Sequence, residues 1–283
     1  MRDTCAISAD HRVWCWGTNA EGQIGDGTMT GEDCPDFQPC HPSPTLVGSL
    51  VQATAIAERS NHVCAIVGNG DVWCWGSNGF AEAGDGTTTG QPCLNANAAG
   101  CKPTPVSVVS IHDAVSIAAG FGHNCVIRSG GVVSCWGEDG AGEIGDAMKT
   151  SVACNGNVPC VPTPFDVTSL GTGVKAIAAG TFDTCAIKSD DTLWCWGSNE
   201  FGNLGDGTTT GSLVPVEVPI GSVSAVAMGF DHACAIKTDG TLWCWGRNDG
   251  GQLGDGTTNG SACSFTVCRP SPVQVAALGT NAA

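Results

Sequence analysis

Apolar and polar positions alternate along Val174-Lys-Ala-Ile-Ala-Ala-Gly180, a period of two that predicts a β-strand closed by a glycine. Thr184-Cys-Ala-Ile-Lys188 predicts a second strand and Thr192-Leu-Trp-Cys-Trp-Gly197 a third, with Ser189-Asp190-Asp191 as the turn between them. The equivalent turns Gly68-Asn69-Gly70, Ser129-Gly130-Gly131 and Thr238-Asp239-Gly240 end in glycine, which suits a type I turn closed by a left-handed residue and a G1 bulge. A fourth strand is expected to begin at Pro-Ser/Thr-Pro, as in Pro103-Thr-Pro-Val-Ser-Val-Val109 and Pro270-Ser-Pro-Val-Gln-Val275, because proline suits a strand start or an outer edge.

The same succession returns five times, in blocks that begin at Cys5, Cys64, Cys125, Cys185 and Cys234. Repeats fall at approximately 1–50, 51–110, 111–170, 171–220 and 221–283, a single array over 1–283. Modules of this size cannot bury their own apolar faces and must stack on one another. The pattern is all-β, and 41 Gly, 14 Pro and nine Trp agree with turn-rich modules that keep their large aromatics for packing. In Trp194-Cys195-Trp196 the period of two sends both indoles to one face, to pack, and the sulfur to the other, to staple.

The eighteen cysteines pair off along the chain. Cys5/Cys15, Cys64/Cys74, Cys125/Cys135, Cys185/Cys195 and Cys234/Cys244 are ten positions apart, symmetric about each hairpin turn, and so face each other across an antiparallel pair. Cys34/Cys40, Cys93/Cys101, Cys154/Cys160 and Cys263/Cys268 bracket the segments between blocks. An even, locally paired set reads as nine disulfides in an oxidising compartment. Zinc is the rival, but there is no CxxC knuckle and no His at a regular ligand spacing. A formal charge of −16 sets the average surface against nucleic acid and anionic membranes. No apolar run is long enough for a membrane helix, and Met1-Arg2-Asp3-Thr4 is not a signal peptide, so an upstream leader is expected outside these residues.

A glycine loop follows each third strand: Gly17-Thr-Asn-Ala-Glu-Gly-Gln-Ile-Gly-Asp-Gly-Thr28, then 76–87, 197–208 and 246–257. It is no phosphate loop, since it opens no helix and carries no Lys in the required place. Its glycines suit tight turns, and Asp26, Asp85, Asp206 and Asp255 suit side-chain to backbone bonds; calcium is a lesser option because one carboxylate supplies too few oxygens. The third copy, Gly145-Asp146-Ala147-Met148, loses the second glycine and the Thr, so that loop is expected to be distorted or differently packed.

The recurring frame Ala-Ile-Ala-Ala-Gly-x-x-His/Asp-x-Cys-Ala-Ile, then Trp-x-Trp-Gly-x-Asn-x-x-Gly-x-Leu-Gly-Asp-Gly-Thr, resembles the regulator-of-chromosome-condensation repeat over essentially the whole chain. The resemblance implies a β-propeller of four-stranded blades. Members commonly have seven blades, so five repeats imply either an incomplete part of a larger ring or a first blade one strand short. The cysteine load is similar to that of secreted bacterial members, which include a β-lactamase inhibitor. Nucleotide exchange, as in the nuclear members, and light sensing, as in the plant photoreceptors, are not carried over.

Two residues before the first cysteine of each block stand Asp3, His62, His123, Asp183 and His232. They would converge on an ion only if brought close, and the plainer reading is that the His satisfies backbone groups within its own blade. No activated nucleophile is visible, so no catalytic residue, metal or cofactor is assigned. The bracketed loops have fixed ends and variable contents, the design of a binding surface, and Phe37, Leu94, Asn97, Asn155, Asn157 and Phe265 are its candidate contacts. The expected function is that of a secreted, non-catalytic module binding a protein or a surface glycan. A secreted hydrolase or lyase using acidic or His residues is the alternative, and a structural envelope or adhesion component the third.

Overall fold

The computed structural model describes residues 3–34, 38–48, 50–94, 100–147 and 151–280. Each repeat builds its own antiparallel sheet. In sheet 2 the strands Ala53–Arg59, His62–Val67, Asp71–Ser77 and Cys101–Ser107 lie side by side in chain order. Sheet 4 repeats this with Val174–Ala179, Asp183–Lys188, Leu193–Gly197 and Ser212–Glu217. Sheets 3 and 5 add a short outer strand, Val152–Ala153 and Ser261–Cys263. Sheet 1 runs Asp3–Ile7, Val13–Thr18, Gln38–Leu46 and outer Glu32–Cys34, with no strand ahead of Asp3 among the described residues. Such meanders are the blades of a β-propeller.

By contacts the chain divides into two compact units, one of 1–129, 134–140 and 150–166, the other of 130–133, 141–149 and 167–283. The first holds sheets 1 and 2 and most of sheet 3. The second holds sheets 4 and 5 and the glycine loop of the third repeat.

Register follows the turns. Cys5, Cys64, Cys185 and Cys234 stand directly opposite Cys15, Cys74, Cys195 and Cys244. Their disulfides, with Cys125–Cys135, join Cα atoms 4.0 to 4.1 Å apart, at the close end of antiparallel spacing. Cys34–Cys40, Cys93–Cys101, Cys154–Cys160 and Cys263–Cys268 are also bonded, and no cysteine is free.

The fourth strand does not begin at proline. It begins before the first proline of Pro-x-Pro, at Gln38 or Cys101 for example, and the prolines lie inside it. Gly17 pairs with His41 and Cys15 with Thr45, so Pro42-Ser43-Pro44 bulges opposite Trp16. The bracketed segment extends the pairing upstream, and the bulge absorbs residues that cannot donate to the ladder.

A second correction concerns the Trp-Cys-Trp strand. The sulfurs do more than staple, because both faces of a blade are buried. In the second unit Cys185, Cys195, Leu193 and Leu204 of sheet 4 pack with Ala233, Ala235 and Trp245 of sheet 5. In the first, Cys64, Cys74 and Ile111 of sheet 2 pack with Val126 and Trp136 of sheet 3. In repeats two to five the Trp after the cysteine is the deep one: Trp75, Trp136, Trp196 and Trp245 are at most 1 % exposed, while Trp73, Trp194 and Trp243, and both Trp14 and Trp16 of the first repeat, stay half-buried.

Candidate binding surface

The glycine loops make the joints between sheets. Trp75 Nε1 donates to the Gln23 carbonyl at 2.8 Å, Trp136 to Glu82 at 2.9 Å, Trp196 to Glu143 at 2.7 Å and Trp245 to Asn203 at 2.8 Å. In return the N–H groups of Gly27, Gly86 and Gly207 donate to Pro103, Pro162 and Pro270 of the next repeat. A buried indole N–H needs such a partner. Within the loop, Asn78 Oδ1 accepts from the Ala83 N–H and its amide donates to the Thr87 and Thr89 carbonyls, a pattern that Asn19, Asn199 and Asn248 repeat in outline.

Asp26, Asp85, Asp206 and Asp255 each accept from the N–H and hydroxyl of the Thr two residues on. Their second oxygens face basic side chains of the chain itself in three copies: His41 at 3.7 Å, Lys102 at 2.7 Å and Arg269 at 3.3 Å. Burial pushes the Asp85 carboxyl up, but the bonds from Lys102 and Thr87 outweigh it and hold the group below the usual range. Sequence reading missed these basic residues, although each stands immediately before Pro-x-Pro. Among the described residues no group of three or more His, Cys, Asp or Glu is placed to hold a metal. Of the third loop Met148 lies outside the described residues; Ala147 takes the left-handed conformation at φ 60° and its N–H donates to the Leu213 carbonyl, at 3.1 Å.

The His positions are cores and not open sites. His62 is 1 % exposed, and its Nε2 lies 3.0 Å from Oδ1 of Asn124 in the next repeat, so its partner is not backbone of its own blade. Desolvation pushes the imidazole down to about 4 despite that bond. Burial, with the charges of His62 and Arg59, pushes His123 down to about 3. In the second unit Asp183 is buried and accepts from the Asn203 amide at 2.8 Å, while His232 is half-buried and lowered by desolvation.

Of the candidate contacts, Phe37 and Asn97 lie outside the described residues. Leu94 is 58 % exposed and its N–H donates to Ala20 of the preceding glycine loop. Asn155 donates in the same way to Gly79, and Asn157, in the same bracket, is exposed. Phe265, 77 % exposed, tips the Cys263–Cys268 hairpin and meets the glycine-loop residue Phe201 edge-on, with centroids 5.4 Å apart. The brackets of the second, third and fifth repeats therefore rest on the glycine loop of the repeat before them.

Phe265 lines a cavity. A cavity of about 370 Å³ is walled by Phe182, Phe201, Phe230 and Phe265, with Glu200 and Arg247 among its polar lining. Arg247 lies 5.7 Å over the Phe201 ring and 6.0 Å from that of Phe265. It is held by Asp249 at 2.6 and 2.8 Å and by Asp231 at 3.2 Å. These bonds raise the guanidinium further and hold Asp249 well below the carboxylate range, so the arginine is a fixed cationic wall. Phe182 and Phe230 were missed by sequence reading. Their signal was a Phe one or two residues before the His/Asp position, in Phe121, Phe182 and Phe230.

Residues 2–283 match the family described as RCC1-like domain. The chain belongs to the RCC1-like domain family. This RCC1-like chain is 27 % identical to human E3 ubiquitin-protein ligase HERC2 over 220 residues, 75 % of this chain and 4 % of that protein. It is 26 % identical over 216 residues to the mitochondrial RCC1 domain-containing protein RUG3 of Arabidopsis thaliana, 75 % of this chain and 44 % of that one. Among solved structures, Prp20p of Saccharomyces cerevisiae aligns over 97 % of this chain and 61 % of its own with a TM-score of 0.75 at 17 % identity. Human WBSCR16 aligns over 97 % and 65 % with a TM-score of 0.73, also at 17 % identity. These likenesses show a β-propeller fold. The chain spans less than two thirds of each of these proteins.

Proposed function

We propose that this RCC1-like chain is an exported, non-catalytic binding module that recognises a protein or surface-glycan partner, with the phenylalanine cavity of the second unit as its principal contact. The observation that carries the reading is a preformed aromatic pocket whose outer wall, the Phe265 hairpin, is closed by a disulfide and whose cation is already clamped. A site built in advance loses little entropy on binding. Aromatic and Arg side chains gathered in a concave site are the usual anchors of an interface. Nine disulfides suit an oxidising compartment. The partners of relatives support a recognition role by analogy, since Prp20p is described with its binding to Gsp1p and histones.

The test is a screen of immobilised glycans and proteins with the intact chain and with a Phe230→Ala/Phe265→Ala variant. Binding that the double variant loses, with the circular dichroism unchanged, supports the proposal. Turnover of glycoside or ester substrates by the intact chain, undiminished in that variant, overturns it.

A further inference from the structure

The five repeats are copies of one another, so a position filled in some and vacant in another carries information. In sheet 4 the ammonium of Lys188 lies 5.7 Å over the Trp194 ring, and in sheet 5 that of Lys237 lies 5.5 Å over Trp243. Both indoles also donate to a Thr hydroxyl, Thr192 at 3.0 Å and Thr241 at 2.9 Å. The equivalent indole of sheet 2 is Trp73, opposite Ala65 as Trp194 is opposite Ala186. There the lysine is replaced by Val67 and the threonine by Asp71. Among the described residues Trp73 has neither a covering cation nor a hydrogen bond from its N–H.

In place of the lysine there is a cavity of about 400 Å³. Trp73, Val67, Leu50 and Pro105 give it apolar walls, and Asp71 and Gln52 give it acceptors. Asp71 is half exposed, and its one partner is a similarly exposed His112, 2.7 Å away, on one oxygen. A surface pair of this kind contributes little and yields readily to a better cation. Gln52 sits in the left-handed region at φ 60° with its side-chain amide free among the described residues. The chain carries a formal charge of −16, so it attracts basic partners before contact.

We infer that this cavity is a receptor for a lysine side chain presented by another polypeptide. The alkyl stem lies along Val67, Leu50 and Pro105, and the ammonium takes the place over Trp73 that Lys188 and Lys237 take over their own indoles, within reach of Asp71. A cation over an indole face is favourable by about 0.5 to 2 kcal/mol, more as water is excluded. The indole N–H remains for a carbonyl of the same peptide. The site draws on the first unit alone and is independent of the phenylalanine cavity.

The experiment uses the intact chain labelled with nitrogen-15, the Trp73 indole resonance being assigned by its loss in Trp73→Phe. The probes are a capped pentapeptide with one central lysine, the same peptide with that lysine acetylated, and methyl glucoside. The lysine peptide should shift the Trp73 indole signal with a Kd on the order of 1 mM, and acetylation should weaken it about tenfold or more. Val67→Lys should weaken it to the same degree, because the chain then supplies its own ammonium as sheets 4 and 5 do. That variant copies a native arrangement, and its folding is checked by an unchanged melting midpoint. Asp71→Asn should weaken binding several-fold. Equal binding by the acetylated peptide, full binding by a folded Val67→Lys, or a shift by methyl glucoside and not by the lysine peptide would each overturn the inference, the last in favour of a sugar platform.

Discussion

The glycine loops and the cysteine-bracketed segments follow one another along the chain and obey opposite rules. A glycine loop is closed on itself: its Asn and Asp side chains bond within the loop, and its carbonyl takes the next indole. Each residue is fixed by a partner inside the protein, so the same letters recur. A bracketed segment is closed by its disulfide and touches a glycine loop at single points, while Leu94, Val152 and Phe265 stand out into solvent. The first design builds joints and the second leaves contents free to vary. Where the two meet, at Phe201 and Phe265, the second unit has its cavity.

The sharpest way to break the contrast is at a joint. Trp136→Ala removes a fully buried indole and one of the two donors to the Glu82 carbonyl, the Asn124 amide remaining, so denaturant unfolding should show a loss of about 3 to 5 kcal/mol. A loss under about 1 kcal/mol would mean that the loops do not hold the sheets together.

Glu82 →Gln probes the same loop through pH. Burial raises Glu82 to about 7, against the pull of its bonds from the Phe80 N–H and the Ser77 hydroxyl. A carboxyl raised on folding contributes in full below its unfolded value near 4.5 and loses that contribution as pH rises through 7. Gln stands naturally at the equivalent positions 23 and 252 and does not titrate. The variant should therefore gain on the parent by on the order of 2 to 3 kcal/mol between pH 4.5 and 8. His62 and His123 work in the opposite sense: their stabilisation is complete above 6.5 and is lost as pH falls towards 4 and 3. A constant difference between parent and variant across that range would show that Glu82 does not titrate as its burial requires.

At the brackets smaller effects are expected. Cys263→Ser with Cys268→Ser should lower stability by about 2 kcal/mol or less, since the loop it closes is short. It should weaken binding at the phenylalanine cavity more than it destabilises the fold. Phe265→Ala should leave stability within about 0.5 kcal/mol, because the ring is mostly solvated, and a larger loss in thermal unfolding would make Phe265 part of the core.

Much of the fold was legible because hairpin constraints are local. Ten positions with a three-residue turn at the centre place Cys185 against Cys195 in any antiparallel pair. The strand start at Pro-x-Pro was misread because the bulge depends on what the bracketed segment pairs with upstream. The sulfurs staple the hairpins as read, but their packing was not read because it depends on the neighbouring sheet. Phe265 was picked out from its exposed bracket, but Phe182, Phe201 and Phe230 were not, since separations of tens of residues close only when two repeats are side by side.

By itself the sequence determined the strands, the repeat, the covalent pairs and the turns, all set by interactions spanning a dozen residues or fewer. Tertiary structure decided that the sulfur face of the Trp-Cys-Trp strands is buried along with the indole face, where His62 finds its partner, and that Trp73 stands bare where Trp194 and Trp243 are covered. Those outcomes depend on contacts between repeats about fifty residues apart, and on the absence of one lysine whose meaning shows only when the copies are seen in the same fold.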